Sequence, residues 1–171
     1  GDGVALIASV DVSSTAATEK TKTLIENHTT TITTSVATAL TNITLGKADG
    51  FKLRSVKMAT SFGTYSTTNQ IDITDRYTFD TGMRDAFYGL ASIRLKPGQP
   101  VPTGSIRVVF DFFTHGAGDY FSVDSYTGQV TYENIPTYIS KDSGSSFELR
   151  DCFDFRPRVD DNGTFAGATA S

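Results

Sequence analysis

Three side chains in the sequence could bind a metal or attack a substrate: His28, His115 and Cys152. Neither histidine has a cysteine, a second histidine or a carboxylate at the spacing that metal sites use. His28 lies in a Thr-rich stretch, His115 lies in a Gly-bearing loop, and no histidine is close to Cys152 in the sequence. We therefore expect two exposed polar histidines, a small packed cysteine, and no metal, nucleotide or other cofactor.

A second candidate site is the run Asp160, Asp161 and Asn162, which precedes a glycine as the ligands of a calcium loop do. The spacing is wrong for an EF-hand, and no glutamate follows at the twelfth position. The sequence therefore favours a plain turn here. A phosphate-cradling glycine loop, a nucleophile elbow and a His-Glu-x-x-His motif are also missing from the sequence, so we expect no enzymatic activity.

Aspartate and arginine recur side by side within apolar, aromatic segments. The residues concerned are Asp75, Arg76, Arg84, Asp85, Arg150, Asp151, Asp154 and Arg156. They could form a catalytic or ligand-binding cluster, or a set of ion pairs that fix how segment 71–88 docks on segment 147–158. An acid–base enzyme would usually show a histidine, a lysine or a lone carboxylate beside such a cluster, so the structural interpretation is favoured.

The composition indicates the kind of scaffold that must position these side chains. Apolar residues make up 38% of the 171 residues and charged residues 20%, with 12 Phe, 7 Tyr and no Trp. Thr is strongly over-represented in the first fifty residues. Aromatic and β-branched residues pack well on a pleated surface, so the composition predicts an all-β protein.

Alternation of apolar and polar residues, bounded by Gly, Pro and Asn, marks the individual strands. Extended structure is predicted for residues 4–12, 24–45, 51–58, 89–95, 106–113, 120–126, 130–132 and 147–155. The apolar face changes near Ser55, which indicates a β-bulge. Segments 106–113 and 120–126 are predicted to pair as a hairpin, and one helical turn could follow Asp80 within 81–88.

Turn signals recur about every ten residues, which is typical of a sandwich. We therefore predict an antiparallel β-sandwich of the immunoglobulin or fibronectin kind over residues 46–160. An extended Thr-rich β region over residues 1–45 would precede it, as part of an earlier module, and a flexible segment over 161–171 would follow it. The chain does not begin with Met, so we expect it to be a segment of a longer protein.

Charge and cysteine content narrow the classes of partner. The net charge is −4, which disfavours binding to nucleic acid or to an anionic membrane surface. One cysteine cannot form an internal disulfide, so a disulfide-stapled secreted scaffold is excluded. No apolar run is long enough for a membrane span, and membrane insertion is not expected.

Several ordered motifs resemble virion structural proteins of large contractile-tailed bacteriophages, notably T4-like cyanophages. The motifs lie at residues 45–56, 72–88, 93–98, 121–126 and 149–158, among them Phe-Ser-Val-Asp-Ser-Tyr and Leu-Arg-Asp-Cys-Phe-Asp-Phe-Arg-Pro-Arg. The resemblance covers about residues 45–160. It implies a tail, baseplate or fibre protein that is assembled in the host cytoplasm, located in the virion, and in contact with other virion proteins and copies of itself.

Two functions are compatible with this resemblance. The first is a structural assembly module that acts by protein–protein contacts. The second is a receptor-binding module that grips host surface glycans with exposed aromatic side chains such as Tyr65, Tyr120 or Tyr138. Tyrosines aligned in one groove would favour the second function, and an apolar surface patch would favour the first.

Overall fold

The computed structural model describes residues 17–39, 42–126, 132–151, 154 and 156–164. Within these residues the chain forms nine strands and one short α-helix, α1 (Ser35–Thr38). The strands are β1 (Lys22–Ile32), β2 (Asn42–Ala48), β3 (Gly50–Met58), β4 (Ile71–Asp72), β5 (Tyr77–Asp80), β6 (Leu90–Leu95), β7 (Ile106–His115), β8 (Thr137–Ile139) and β9 (Ser146–Glu148). The helices among these residues are too short to span a membrane.

Two antiparallel sheets pack against each other, which confirms the prediction of an all-β sandwich. The first sheet has the strand order β1-β7-β3-β4, and the second has the order β2-β6-β5. β8 and β9 form a separate two-stranded hairpin. The β-bulge predicted near Ser55 is confirmed, because the register of β3 on β7 shifts between Leu53 and Ser55.

The core lies between the two larger sheets. Its fully or nearly buried members are Ile43, Leu45, Val56, Met58, Ile73, Tyr77, Ile93, Ile106, Val108, Phe110 and Phe112. Phe110 on β7 meets Phe79 on β5 with ring centroids 6.2 Å apart, so aromatic packing joins the two sheets directly. The alternation that predicted strand 106–113 therefore corresponds to the core-facing side of β7.

The predicted hairpin between 106–113 and 120–126 is wrong. Residues 123–126 form a 3₁₀ turn, and Tyr120 makes only an isolated bridge to Glu19. The reason is that β7 is a central strand whose two edges are already paired, one with β1 and the other with β3. No edge of β7 remains for residues 120–126.

Two further segments differ from the sequence predictions. Segment 147–155 is not one strand, because β9 ends at Glu148 and a 3₁₀ turn follows over Leu149–Asp151. Segment 81–88 contains no helical turn and closes instead through a bridge between Met83 and Tyr88. The predicted strands 4–12 and 130–132 lie wholly or mostly outside the described residues.

The described part of the Thr-rich region, residues 17–39 and 42–45, is mainly extended, as predicted, apart from α1. Its two described strands join the same sheets as the later strands, since β1 pairs with β7 and β2 pairs with β6. β2 continues past residue 45 and leads to β3 through the single residue Asp49. This corner between the two sheets places Asp49 beside β1 and β7.

Candidate functional site

A buried polar network lies at the corner where β2 passes into β3. The Asp49 carboxylate oxygen Oδ2 is 2.9 Å from Lys22 Nζ and 2.7 Å from His115 Nε2. The side chains of Asp49 and Lys22 are each 4% exposed, and that of His115 is 8% exposed. The network therefore combines a cation, an anion and an imidazole around one oxygen atom, almost without contact with solvent.

The backbone explains why these three residues meet. Lys22 and His115 are direct partners in the antiparallel ladder of β1 and β7, so they lie opposite each other. Asp49 reaches them from the sheet corner with φ of 54°, a left-handed conformation that an aspartate adopts more readily than most residues. Its carbonyl oxygen also accepts a hydrogen bond from Phe113 N at 2.9 Å, which ties the corner to β7.

Gly50 allows the corner to pack tightly against the second sheet. A Cβ atom at this position would lie 2.8 Å from both Ala91 Cβ and a ring carbon of Phe79. Its amide donates to Thr81 O at 2.9 Å. Both contacts hold the peptide bond after Asp49 in place, so the carboxylate is presented from a rigid support.

Burial determines the protonation state expected of His115. Its burial lowers the pKa of His115, and this effect, together with the charges of Lys22 and Arg158, outweighs the raising effect of Asp49. His115 is therefore neutral at physiological pH, with its Nε2 hydrogen directed at the carboxylate as the short contact requires. The His115 ring also meets the Phe121 ring edge-on, with centroids 4.9 Å apart.

Aromatic rings surround the Lys22 ammonium. Lys22 Nζ lies 5.0 Å from the ring centroid of Phe113, 5.2 Å from that of Tyr88 and 5.7 Å from that of Tyr126. Ring faces attract cations, so this cage compensates part of the cost of burying the charge. The Tyr126 hydroxyl donates to Asp154 O at 2.7 Å, which connects the cage to the C-terminal segment.

Asp154 is the anchor of that C-terminal segment. Its Oδ2 accepts from the Tyr88 hydroxyl at 2.5 Å, and its Oδ1 accepts from the backbone N and the Nε of Arg156. Burial alone would raise the pKa of Asp154, but these hydrogen bonds and the Arg156 charge lower it. Burial and the bond to Asp154 raise the pKa of Tyr88. Both groups thus stay in the charge states that their mutual hydrogen bond needs.

Above this network opens a cleft of about 600 Å³. Its lining is mainly apolar, and Lys22, Asp49, Tyr88, Tyr126 and Asp154 supply its polar side chains together with Thr81. Three large apolar side chains on its rim are exposed, namely Phe51 (55%), Met83 (52%) and Leu149 (39%). The combination is an apolar concave surface with a rigid polar floor, which is a usual form of binding site.

The predicted Asp–Arg cluster is only partly brought together. Arg156 Nη1 donates to Arg84 O at 2.6 Å, and Tyr88 bonds to Asp154, so segment 71–88 and the C-terminal segment do meet. The ion pairs seen here among the described residues are local. Arg84 pairs with Asp80 at 3.1 Å, and Arg150 lies 3.4 Å from Glu148.

The other members of the cluster lie at the surface. Asp75, Asp85 and Asp151 are exposed, and Arg76 is half-buried at the end of a 3₁₀ turn. The pairing expected between these aspartates and Arg76, Arg84 or Arg150 therefore differs from what the structure shows. Because the aspartates and arginines are adjacent in sequence, we expected them to contact each other. The links between the segments run instead through the Tyr88 hydroxyl and the Arg84 backbone carbonyl.

Both histidines are less exposed than the sequence predicted. His28 is half-buried on β1, where its ring meets the rings of Phe110 and Phe112 edge-on at 5.4 and 5.1 Å. His115 belongs to the end of β7 rather than to the loop, which is why its side chain is only 8% exposed. Cys152 lies outside the described residues.

The plain turn predicted at Asp160 is confirmed, since Asp160 Oδ1 accepts from the amides of Asn162 and Thr164. In the part of the chain that the structure describes, no three His, Cys, Asp or Glu side chains converge as a metal site would require.

Comparisons with protein-family models, with curated proteins and with solved structures found no match for the chain.

The three tyrosines considered for glycan binding do not line the cleft. Tyr65 is half-buried, with the Arg107 guanidinium 5.2 Å from its ring centroid and its hydroxyl bonded to Gln70. Tyr120 and Tyr138 are exposed on separate segments. The tyrosines that do line the cleft, Tyr88 and Tyr126, were not singled out from the sequence.

Proposed function

We propose that this chain is a structural assembly module of a contractile phage tail or baseplate. It would work by contacts with other virion proteins and with copies of itself, without catalytic turnover. The observation that carries the proposal is the group of exposed apolar side chains around one cleft, Phe51, Met83 and Leu149. The motif resemblance over residues 45–160 is the reason for proposing a contractile phage particle.

Exposed apolar area at one place favours a protein partner. Burying a large apolar side chain releases about 1.5–3 kcal/mol, and grouped exposed side chains of this kind mark interaction surfaces more often than isolated ones. Phe51 is supported from the side by Phe113, with ring centroids 5.6 Å apart. It is thus held in a fixed orientation, which lowers the entropy cost of binding.

The chemistry of the cleft floor also favours binding over turnover. The Asp49 carboxylate contacts Lys22 and His115 through the same oxygen, and Asp154 is engaged by Tyr88 and Arg156. A general base needs access to a substrate proton. These acidic and basic groups instead bind one another, so they are suited to hold the strands that shape the cleft.

The proposal is tested by replacing the rim in the assembled particle. The variant Phe51→Ser with Met83→Ser should strongly reduce incorporation of the protein into tails, as measured by quantitative mass spectrometry of purified particles. The matched control is Val36→Ser with Val101→Ser, which changes two side chains that are 77% and 45% exposed and lie outside the cleft lining. The control should incorporate as the parent does.

Both variants should unfold at the same denaturant concentration as the parent, because the four side chains are exposed. Normal incorporation of the rim variant would refute the proposal. Normal incorporation together with lost adsorption to host cells would favour the receptor-binding function instead.

A further inference from the structure

Lys22 and Asp49 form a buried pair whose atoms are positioned for more than an ion pair. Lys22 Nζ lies 2.9 Å from Asp49 Oδ2, and both side chains are 4% exposed. We propose that these two residues become joined by an isopeptide bond between Lys22 Nζ and Asp49 Cγ, formed spontaneously in the folded chain. The inference concerns the chain itself and does not depend on the proposed function.

Fixed proximity is the first argument. Lys22 begins β1, in register with His115 on the central strand β7, and Asp49 is the single residue between β2 and β3. Reacting groups that are held in contact by a rigid scaffold can behave as if present at about 10⁵–10⁸ M. Amide formation, which is negligible between free amines and carboxylates in water, becomes feasible under that condition.

The surroundings of the pair are the second argument. The rings of Phe113, Tyr88 and Tyr126 enclose Nζ at 5.0, 5.2 and 5.7 Å. A buried ion pair keeps a large desolvation penalty, whereas a neutral amide does not. At 4% exposure, both side chains also have little contact with the water that would hydrolyse the product. The environment therefore favours the condensed form over two separate charges.

The reaction balances without any further reactant. The Lys22 ammonium carries three hydrogens on nitrogen, of which one remains on the amide and two leave with Asp49 Oδ2 as water. The bond from Nζ to Cγ forms, and the bond from Cγ to Oδ2 breaks. The positive charge of the ammonium and the negative charge of the carboxylate cancel, so no oxidant, reductant or net proton exchange is required.

His115 is placed to carry a proton during this exchange. Its Nε2 is 2.7 Å from Oδ2, the oxygen that must leave, and Lys22 Nζ contacts the same oxygen. The Lys22 ammonium can pass one proton directly to the carboxylate that it contacts, and the neutral amine then attacks Cγ. The imidazole accepts a second proton from the attacking nitrogen and, as imidazolium, delivers it to the departing oxygen. His115 would return to its starting state, and its ring is held by Phe121.

One competing loss of water starts from the same aspartate. Asp49 precedes Gly50, and the Gly50 amide nitrogen could attack Cγ to give a succinimide. The structure disfavours this route, because Gly50 N donates to Thr81 O at 2.9 Å and its position is fixed between Ala91 and Phe79. Peptide mapping separates the two products, because only the isopeptide bond gives a branched peptide.

The test is the intact mass of the purified, folded chain, followed by peptide mapping after denaturation and proteolysis. We expect a mass lower than the sequence mass by one water molecule, and a branched peptide that joins the residues around Lys22 to those around Asp49. The full sequence mass, or a water loss without that branched peptide, would overturn the proposal.

Two lysine variants make the assignment specific. Lys22→Arg keeps the positive charge but cannot form this amide, so its mass should equal its sequence mass. Lys47→Arg changes another lysine that pairs with an aspartate, the partially exposed Lys47 with Asp161, and should still lack one water. A water loss that persists in Lys22→Arg would identify a succinimide and refute the isopeptide bond.

A third variant tests the role of His115. In His115→Gln, newly synthesised chain should accumulate in the unlinked form, and the linked fraction followed by mass over time should rise more slowly than in the parent. The circular dichroism spectrum establishes that this variant is folded. Linkage at the parental rate in a folded His115→Gln chain would contradict the proton-carrying role, and linkage absent from the parent itself would overturn the whole proposal.

Discussion

The Tyr88 hydroxyl donates to Asp154 Oδ2 at 2.5 Å, although 66 residues separate the two in sequence. The bond joins the segment after β5 to the C-terminal segment. The backbone strengthens the same junction, because Tyr88 N donates to Pro157 O at 2.8 Å and Val159 N donates to Tyr88 O at 2.9 Å. Tyr88 is therefore the central residue in the docking of the C-terminal segment.

Loss of the Tyr88 hydroxyl should destabilise the protein. Tyr88→Phe removes a hydrogen bond to a charged, partly buried carboxylate, and such bonds contribute about 1.5–3 kcal/mol. We expect the free energy of unfolding, measured by urea titration, to fall by about that amount. The control Tyr138→Phe changes an exposed tyrosine on β8 and should leave it within about 0.5 kcal/mol. Equal effects of the two substitutions would show that the Tyr88–Asp154 bond does not hold the segment.

The Arg54–Asp111 pair gives a second prediction about stability. Asp111 is fully buried on β7, and its carboxylate accepts from Arg54 Nε at 2.7 Å and from Asn27 N at 2.9 Å. Arg54→Ala would leave this buried charge without its cation, so the urea midpoint should fall clearly. Arg84→Ala, which breaks an exposed pair with Asp80, should change the midpoint little.

Asp111 also makes a prediction about acid. Burial acts to raise the pKa of Asp111, but the hydrogen bonds from Arg54 and Asn27 and the nearby positive charges outweigh it and lower the pKa. A lowered folded-state pKa gives stability that is present above the unfolded value and is lost as the pH falls through the folded value. Arg54→Ala should therefore unfold at a higher pH than the parent in an acid titration. An unchanged acid midpoint would contradict the assignment.

His115 should make stability depend on pH in a different range. Burial lowers the folded-state pKa of His115 below 6.5. As the pH falls, the unfolded chain therefore binds a proton at this histidine before the folded chain does. Stability should therefore decrease as the pH falls from about 7.5 to about 5.5, and the slope should be smaller in His115→Gln. Burial and the charge of Lys47 also lower the pKa of His28, so His28 accounts for the slope that remains. A parent whose stability rises over this range would refute the prediction.

The sequence predicts the strands well where the alternation is local. The segments 51–58, 89–95 and 106–113 were all found as strands, and the bulge near Ser55 was visible as a change of apolar face. The hairpin was predicted wrongly because its local signal, a Gly-bearing loop between two apolar runs, carries no information about which strand edges are already occupied. That information lies in β1 and β3, whose residues pair with β7 residues about fifty to ninety positions away in the sequence.

The candidate site was missed for a related reason. Lys22, Asp49 and His115 look unremarkable in sequence, and only the pairing of β1 with β7 brings them together. One signal was available, because continuing the alternation of β7 past Phe113 places His115 on the same side as Phe113. Taking 114–119 as a loop ended that pattern too early, since β7 runs to His115 before the chain turns at Gly116.

We propose that the cleft rim contacts another virion protein, and site-specific photo-crosslinking tests this proposal most directly. A photoreactive phenylalanine analogue at position 83, in place of the exposed Met83, should give a crosslink to a virion protein or to a second copy of this chain when assembled tails are irradiated. The same analogue in place of Val101, which is exposed but outside the cleft lining, should give none of that product. Tails that contain both variants and show no crosslink from position 83 would contradict the account.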